Sequence, residues 1–158
     1  MRITILCPSP LLKDSAIQSL ADDYIKRMNH TVQIIEVATK ISNNDTADLV
    51  KKKQGESLLK HLDKLGTDTQ IITLDERGKN LSSPELAKKL TVAMRDGTSS
   101  FCFVIGGAYG LSSDILAKAH FSISFGKMVW PHRLVGVMLL EQLYRAQQIN
   151  VGHPYHKD

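Results

Sequence analysis

The stretch FCFVIGGAYG, residues 101–110, decides how this chain is read. Phe101, Cys102, Phe103, Val104 and Ile105 run without a polar break and stop at Gly106 and Gly107. A short apolar run bounded by glycine reads as a strand buried on both faces, the kind found in a parallel sheet covered by helices. The glycines fall just past its carboxyl end. Open α/β sheets bind ligands there, and a residue without Cβ lets a ligand come close to the backbone. A second such end follows, residues 121–125 and then Gly126, Lys127, Met128, Val129, Trp130 and Pro131. The two strand-end loops read as the walls of one pocket.

Working outward, the same units repeat. Residues 2–7 read as a first strand, broken by Pro8 and Pro10, since proline cannot donate to a ladder. Ala16, Ile17, Leu20, Ala21, Tyr24 and Ile25 recur at three- and four-residue spacing, the mark of an amphipathic helix. Residues 32–37 read as strand two, Ser42 to Asp45 as a polar turn, and a helix follows through Leu49, Leu58, Leu59 and Leu62. Residues 69–74 are predicted to form strand three and residues 75–79 a turn. Ser83 is expected as the N-cap of the next helix with Pro84 at its first position, where a missing N–H costs nothing. That helix reaches Arg95 and stops at Gly97. Residues 111–119 read as a short helix capped by Ser112 or Ser113, and the last helix begins at Pro131. Its residues Leu134, Val135, Val137, Met138, Leu139, Leu140, Leu143 and Tyr144 make it apolar around most of its circumference, so a partner subunit is expected to cover part of it. The alternation of β and α predicts an α/β fold with a mostly parallel sheet and helices on both faces.

Composition narrows the class. A chain of 158 residues, 42% hydrophobic and 23% charged, is expected to be one domain, 1–158, with a full core. No apolar run approaches the ~20 residues that span a bilayer, and no secretory h-region stands at the start, so the cytoplasm is the expected location. Cys7 and Cys102 both fall in predicted strands and read as buried thiols rather than a disulfide or metal pair. The formal charge of +4 permits a polyanionic partner without requiring one. Lys51, Lys52 and Lys53 read as a solvated helix face or, alternatively, as a contact for RNA phosphates. There is no GxxxxGK[ST] loop, no GxGxxG after the first strand, no Cys/His spacing for a metal and no nucleophile elbow.

What remains are strand ends at Leu74, Gly106 and residues 125–130. Such loops suit a flat, mostly apolar heterocycle held by backbone groups. The tail, with His153, Tyr155 and His156, carries groups that stack on an unpaired base. Each feature also has a plain reading: Trp130 as core, His132 as a helix-start residue bonded to backbone, Arg145 as the i,i+4 partner of Glu141.

Taken together, Leu74-Asp75 with Gly78-Lys79, Phe103 to Gly107 with Gly110-Leu111, Ser122 and Ser124, Pro131-His132, Glu141 to Ala146 and His153 to His156 resemble the SPOUT class of knotted RNA methyltransferases. Within that class they resemble the ribosomal RNA large subunit methyltransferase H family, and the N-terminal strand and Lys53 to Glu56 extend the match over essentially the whole chain. The resemblance implies a trefoil knot within about residues 101–158, an exception to unknotted topology. It implies a homodimer that binds S-adenosylmethionine and methylates N3 of a pseudouridine in 23S ribosomal RNA on the assembled ribosome. Carried over by position, Leu74, Gly106, Phe125, Gly126, Lys127, Met128, Val129 and Trp130 would line the cofactor pocket. Arg145, Tyr155, His156 and His132 would serve the target base, in a site that two subunits would share, with no metal and no membrane involved.

The chain departs from the family in two places. Gly136 stands where an arginine is common, and Ala108-Tyr109 replaces a frequent Pro-Glu pair. Two other classes fit the residues alone: another nucleotide-binding α/β enzyme using the Gly106 loop for a phosphate, and a non-catalytic module that binds ribosomes.

Overall fold

The structure is a computed structural model and describes residues 1–157. In chain order it contains β1 (Arg2–Cys7), α1 (Ser15–Arg27), β2 (Thr31–Glu36), α2 (Ala47–Leu62), β3 (Thr69–Asn80), α3 (Ser83–Arg95), β4 (Ser100–Ile105), α4 (Ser113–Lys118), β5 (Phe121–Ser124) and α5 (His132–Asn150). The strands form one sheet in the order β2-β1-β4-β3-β5, with every pairing parallel.

The period of two along each strand divides the core. Ile3, Ile5, Phe101, Phe103 and Ile105 face α1, α3 and α5 in one apolar cluster. Leu6, Cys102 and Val104 face α2 and α4 in the other. The unbroken apolar run of β4 is therefore needed, because both of its faces are covered. The expected α/β architecture forms. Both cysteines are free and buried, and burial pushes each thiol up to about 12.

Three local expectations are corrected, and the cap of α4 is decided between its two candidates. Residues 75–79 do not end β3. The strand runs on to Asn80, and Leu74 and Lys79 both align with Ile123 of β5, so the residues between them bulge out of the ladder. The N-cap of α3 is Ser82, not Ser83. Only from Ser82 does Glu85 stand three residues on, where its carboxylate reaches back to the Ser82 N–H and completes a capping box. Ser112 is the N-cap of α4, yet its hydroxyl makes no cap bond. Trp130 is not core; it is 38% exposed.

The apolar circumference of α5 is mostly covered within the chain. Helices α1 and α3 flank it, Val137 is 8% exposed and Leu140 is fully buried. The premise that these residues await a partner is thus wrong. Leu134, 41% exposed, is the large apolar residue that α5 leaves open. Gly136 has a packing reason: a Cβ there would come within 2.6 Å of Leu11, so the loop after β1 lies directly on the helix.

Candidate active site

The parallel register gathers the predicted cofactor positions. Leu74 of β3 aligns with Ile105 of β4, immediately before Gly106, and with Ile123 of β5, two residues before Phe125. Gly106 and Phe125 thus stand just past the carboxyl ends of β4 and β5, Leu74 lies beside them where β3 begins to bulge, and all three are half-buried. Gly126 takes φ +108°, which turns the chain into the loop of Lys127, Met128, Val129 and Trp130. Met128 and Val129 are 70% and 82% exposed, so this loop presents apolar side chains outward. The loop after β4 is wound tight. A Cβ on Gly106 would meet the Gly110 carbonyl carbon at 2.9 Å, and one on Gly107 would meet Gln54 of α2 at 2.5 Å.

The set fits S-adenosylmethionine. Leu74, Phe125, Met128, Val129 and Trp130 offer apolar surface to a heterocycle, and Lys127 is the single charge among the eight, of the right sign for a carboxylate. Among the described residues no group of three His, Cys, Asp or Glu is placed to hold a metal, and no helix is long and apolar enough to cross a membrane.

The residues expected to serve the target base fall into two places. His132 opens α5 beside the strand-end loops, with Nε2 3.4 Å from the Pro10 carbonyl oxygen, which matches its plain reading. Arg145 lies thirteen residues on, ~20 Å along the helix axis. There Arg145, Tyr155 and His156 do come together. Arg145 stacks on the Tyr155 ring, 4.8 Å from its centroid, and its Nη1 is 3.4 Å from His156 Nδ1.

Glu141 organises this cluster, and it was seen in the sequence only as an ion-pair partner. Its Oε1 accepts from Arg145 Nε at 3.0 Å, Arg145 Nη2 at 2.6 Å and the Tyr155 hydroxyl at 3.1 Å. Its Oε2 accepts from Gln142 Nε2 at 2.7 Å, and Gln142 Oε1 accepts from the Ser83 hydroxyl at 2.7 Å. The Glu141–Arg145 contact is half-buried and multiply bonded, more than an exposed i,i+4 pair. Glu141 beside it raises the Arg145 guanidinium further. Burial, then hydrogen bonding to Tyr24 and the neighbouring Glu141, push Tyr155 up to about 12. At neutral pH Tyr155 is a proton donor.

Sequence reasoning also missed Tyr24 and Tyr144. Tyr144 meets Tyr155 edge-on, with centroids 4.9 Å apart, and Arg27 lies over both Tyr24 and Tyr144. The spacing of Glu141 and Arg145 was a visible signal. Tyr24 left none, because only the packing of α1 on α5 brings it there. A cleft of about 550 Å3 runs from Ser124 and Phe125 past Ser83 to Glu141 and Tyr24. Of the eight predicted cofactor residues only Phe125 lines it.

A parallel α/β sheet with loops gathered at the carboxyl ends of adjacent strands is an architecture that binds ligands at those ends. Residues 1–156 match the family described as predicted SPOUT methyltransferase, and the chain belongs to that family. It is 37% identical to ribosomal RNA large subunit methyltransferase H of Clostridium novyi (strain NT) over 163 aligned positions, covering 99% of this chain and 100% of that one. Identity is 40% to the protein of the same name from Lysinibacillus sphaericus (strain C3-41), at the same coverage. Among solved structures, that of "a probable methylase family protein" from Haemophilus influenzae Rd KW20 superposes with a TM-score of 0.58 at 15% identity, covering 99% of this chain and 70% of that one.

Proposed function

We propose that this protein is an S-adenosylmethionine-dependent methyltransferase that modifies N3 of a pseudouridine in 23S ribosomal RNA on the assembled ribosome, in the cytoplasm. The observation that carries the substrate is the end-to-end similarity to proteins named ribosomal RNA large subunit methyltransferase H. The chain acts as one methyltransferase domain, residues 1–158, in a homodimer, with residues 101–158 threaded as a trefoil knot. The crossover supports the knot: β4 and β5 are consecutive in sequence, yet β3 lies between them.

Leu74, Gly106, Phe125, Gly126, Lys127, Met128, Val129 and Trp130 hold the cofactor, which supplies an already activated methyl group when bound. The protein's remaining work is to orient the base and to manage one proton. The N3–H of pseudouridine is a weakly acidic imide, and its anion is the nucleophile. Arg145, held by Glu141, lies where it can stabilise that anion, and Tyr155 and His156 add a hydrogen-bond donor and an imidazole. His132 sits on the cofactor side. Because ~20 Å of helix separates His132 from Arg145 in one chain, the site is composite, the strand-end loops of one subunit facing the tail cluster of the other. The exposed apolar residues Met128, Val129, Trp130 and Leu134 support an interface beside those loops.

The test is transfer of labelled methyl groups from S-adenosylmethionine to ribosomes that lack the modification, with free 23S RNA alongside. Label at pseudouridine N3 on ribosomes is expected. No transfer, with tight binding of ATP or NAD instead, would replace this reading with another nucleotide-binding enzyme. Ribosome binding without transfer would leave a non-catalytic module.

A further inference from the structure

A second concavity, about 530 Å3, runs between α3 and β5, the strand at the sheet's edge. Lys79, Lys88, Lys89, Val92, His120 and Phe121 line it. None of the three lysines forms a contact ion pair among the described residues, although Lys79 lies close enough to Glu85 to help hold its carboxyl low. Two carboxylates share the wall, Glu85 and Asp96. Glu85 is engaged in the capping box, accepting from the Ser82 N–H at 2.8 Å and the Ser82 hydroxyl at 2.9 Å. Asp96 is the C-cap residue of α3 and bonds there through its backbone N–H, so its carboxylate remains one negative charge against three lysines. Lys89 Nζ sits 4.2 Å from the centroid of the Phe121 ring, so a cation covers an aromatic face that a base could take. His120 Nδ1 accepts the Ile71 N–H at 3.0 Å, which leaves Nε2 as the protonated, outward nitrogen of the neutral ring.

We infer that this groove binds single-stranded RNA, with phosphates on Lys79, Lys88 and Lys89 and a base stacked on Phe121. The inference rests on the proposed ribosomal RNA substrate and extends it to the strand that flanks the target nucleotide. From Glu85 to Asp96 the groove follows ~17 Å of helix, the length of about five stacked nucleotides at ~3.4 Å each. Leu81 lines both this groove and the cleft that reaches Phe125, so the two adjoin. RNA laid along α3 is thereby led toward the cofactor loops. Lysines beside an edge strand also deter edge-to-edge pairing, but that role makes no use of an aromatic ring under a movable lysine or a donor at His120.

The experiment measures binding of a 12-nucleotide oligouridine RNA to the full chain across a salt series. Lys88→Ala/Lys89→Ala is expected to bind about tenfold more weakly at low salt and to lower the slope of log K against log salt by ~0.7 for each lost phosphate contact. Phe121→Leu is expected to weaken binding without changing the slope. Lys60→Ala/Lys64→Ala, an equal charge change at the end of α2 across the sheet, serves as control. Equal effects of the two double variants, no effect of either, or no binding by the unaltered protein at low salt would each overturn the inference. Melting curves verify that all variants fold. On ribosomes the groove variant is expected to raise KM and leave kcat unchanged. Absence of methyl transfer by the unaltered protein would refute the proposed reaction, while the oligonucleotide data would still decide the groove.

Discussion

Tyr155 shows how one residue's surroundings set its chemistry. A tyrosine in water ionises near 10; burial, with Tyr24 and Glu141 beside it, pushes Tyr155 up to about 12. The folded state then holds a proton that the unfolded chain has lost, so stability should fall as pH rises from about 10 to 12 and be unaffected below. Ultraviolet titration of phenolate is expected to show one late tyrosine among four, and Tyr155→Phe should remove it. Four tyrosines ionising together would refute the buried donor. Glu141 carries a second expectation. Glu141→Gln keeps the shape but removes the charge that orders Arg145, and one displaced transition-state donor costs ~10²–10³-fold. Turnover should fall by that order while S-adenosylmethionine affinity, read by calorimetry, stays within a factor of two or so. Equal losses in both would place Glu141 on the cofactor side. The Glu141–Arg145 spacing was legible in the sequence. Its convergence with Tyr155, Tyr24 and Gln142 was not, since hydrogen-bond partners from distant segments leave no local pattern.

At the scale of elements, the helices and strands follow their local signals closely, and the exceptions lie at their ends. The start of α3 turned on whether Ser82 or Ser83 caps it, and the reciprocal bond with Glu85 decides for Ser82. Ser82→Ala is expected to cost ~1 kcal/mol in chemical denaturation, whereas Ser83→Ala should cost little beyond its bond to Gln142. A larger loss at Ser83 would reverse the assignment. The loop of residues 125–130 carries its own test. Trp130→Ala is expected to leave the melting temperature nearly unchanged, because the residue is 38% exposed, and to weaken S-adenosylmethionine binding about tenfold through lost apolar contact. Gly106→Val is a poorer probe. Its side chain would strike the Gly110 backbone and deform the loop whether or not a ligand binds there.

For the whole molecule, the separation of His132 from Arg145 makes a sharp claim about assembly. If the working site is composite, Trp130→Ala and Tyr155→Phe chains, each impaired alone, should complement on mixing and re-pairing. Random pairing leaves about a quarter of the sites intact, and methyl transfer should recover toward that level. No recovery, with mixed dimers verified by mass, would put the whole site in one subunit. Leu134→Glu is expected to shift light scattering toward monomer, since it places a charge on the open apolar face of α5.

The sequence by itself determined the elements, the parallel α/β class and the strand ends proposed to hold the cofactor. Those follow from short-range periodicity, and the unbroken apolar run of β4 demands a strand covered on both faces. It also carried the family, because Gly106-Gly107, Leu143 to Ala146 and His153 to His156 are each contiguous runs that can be read without the fold. Only the tertiary structure decided what covers α5, what Gly136 packs against and which groups surround Tyr155. An apolar helix face records that it is buried and not by what. Here α1 and α3, from far along the chain, supply the cover that the sequence had assigned to a second subunit.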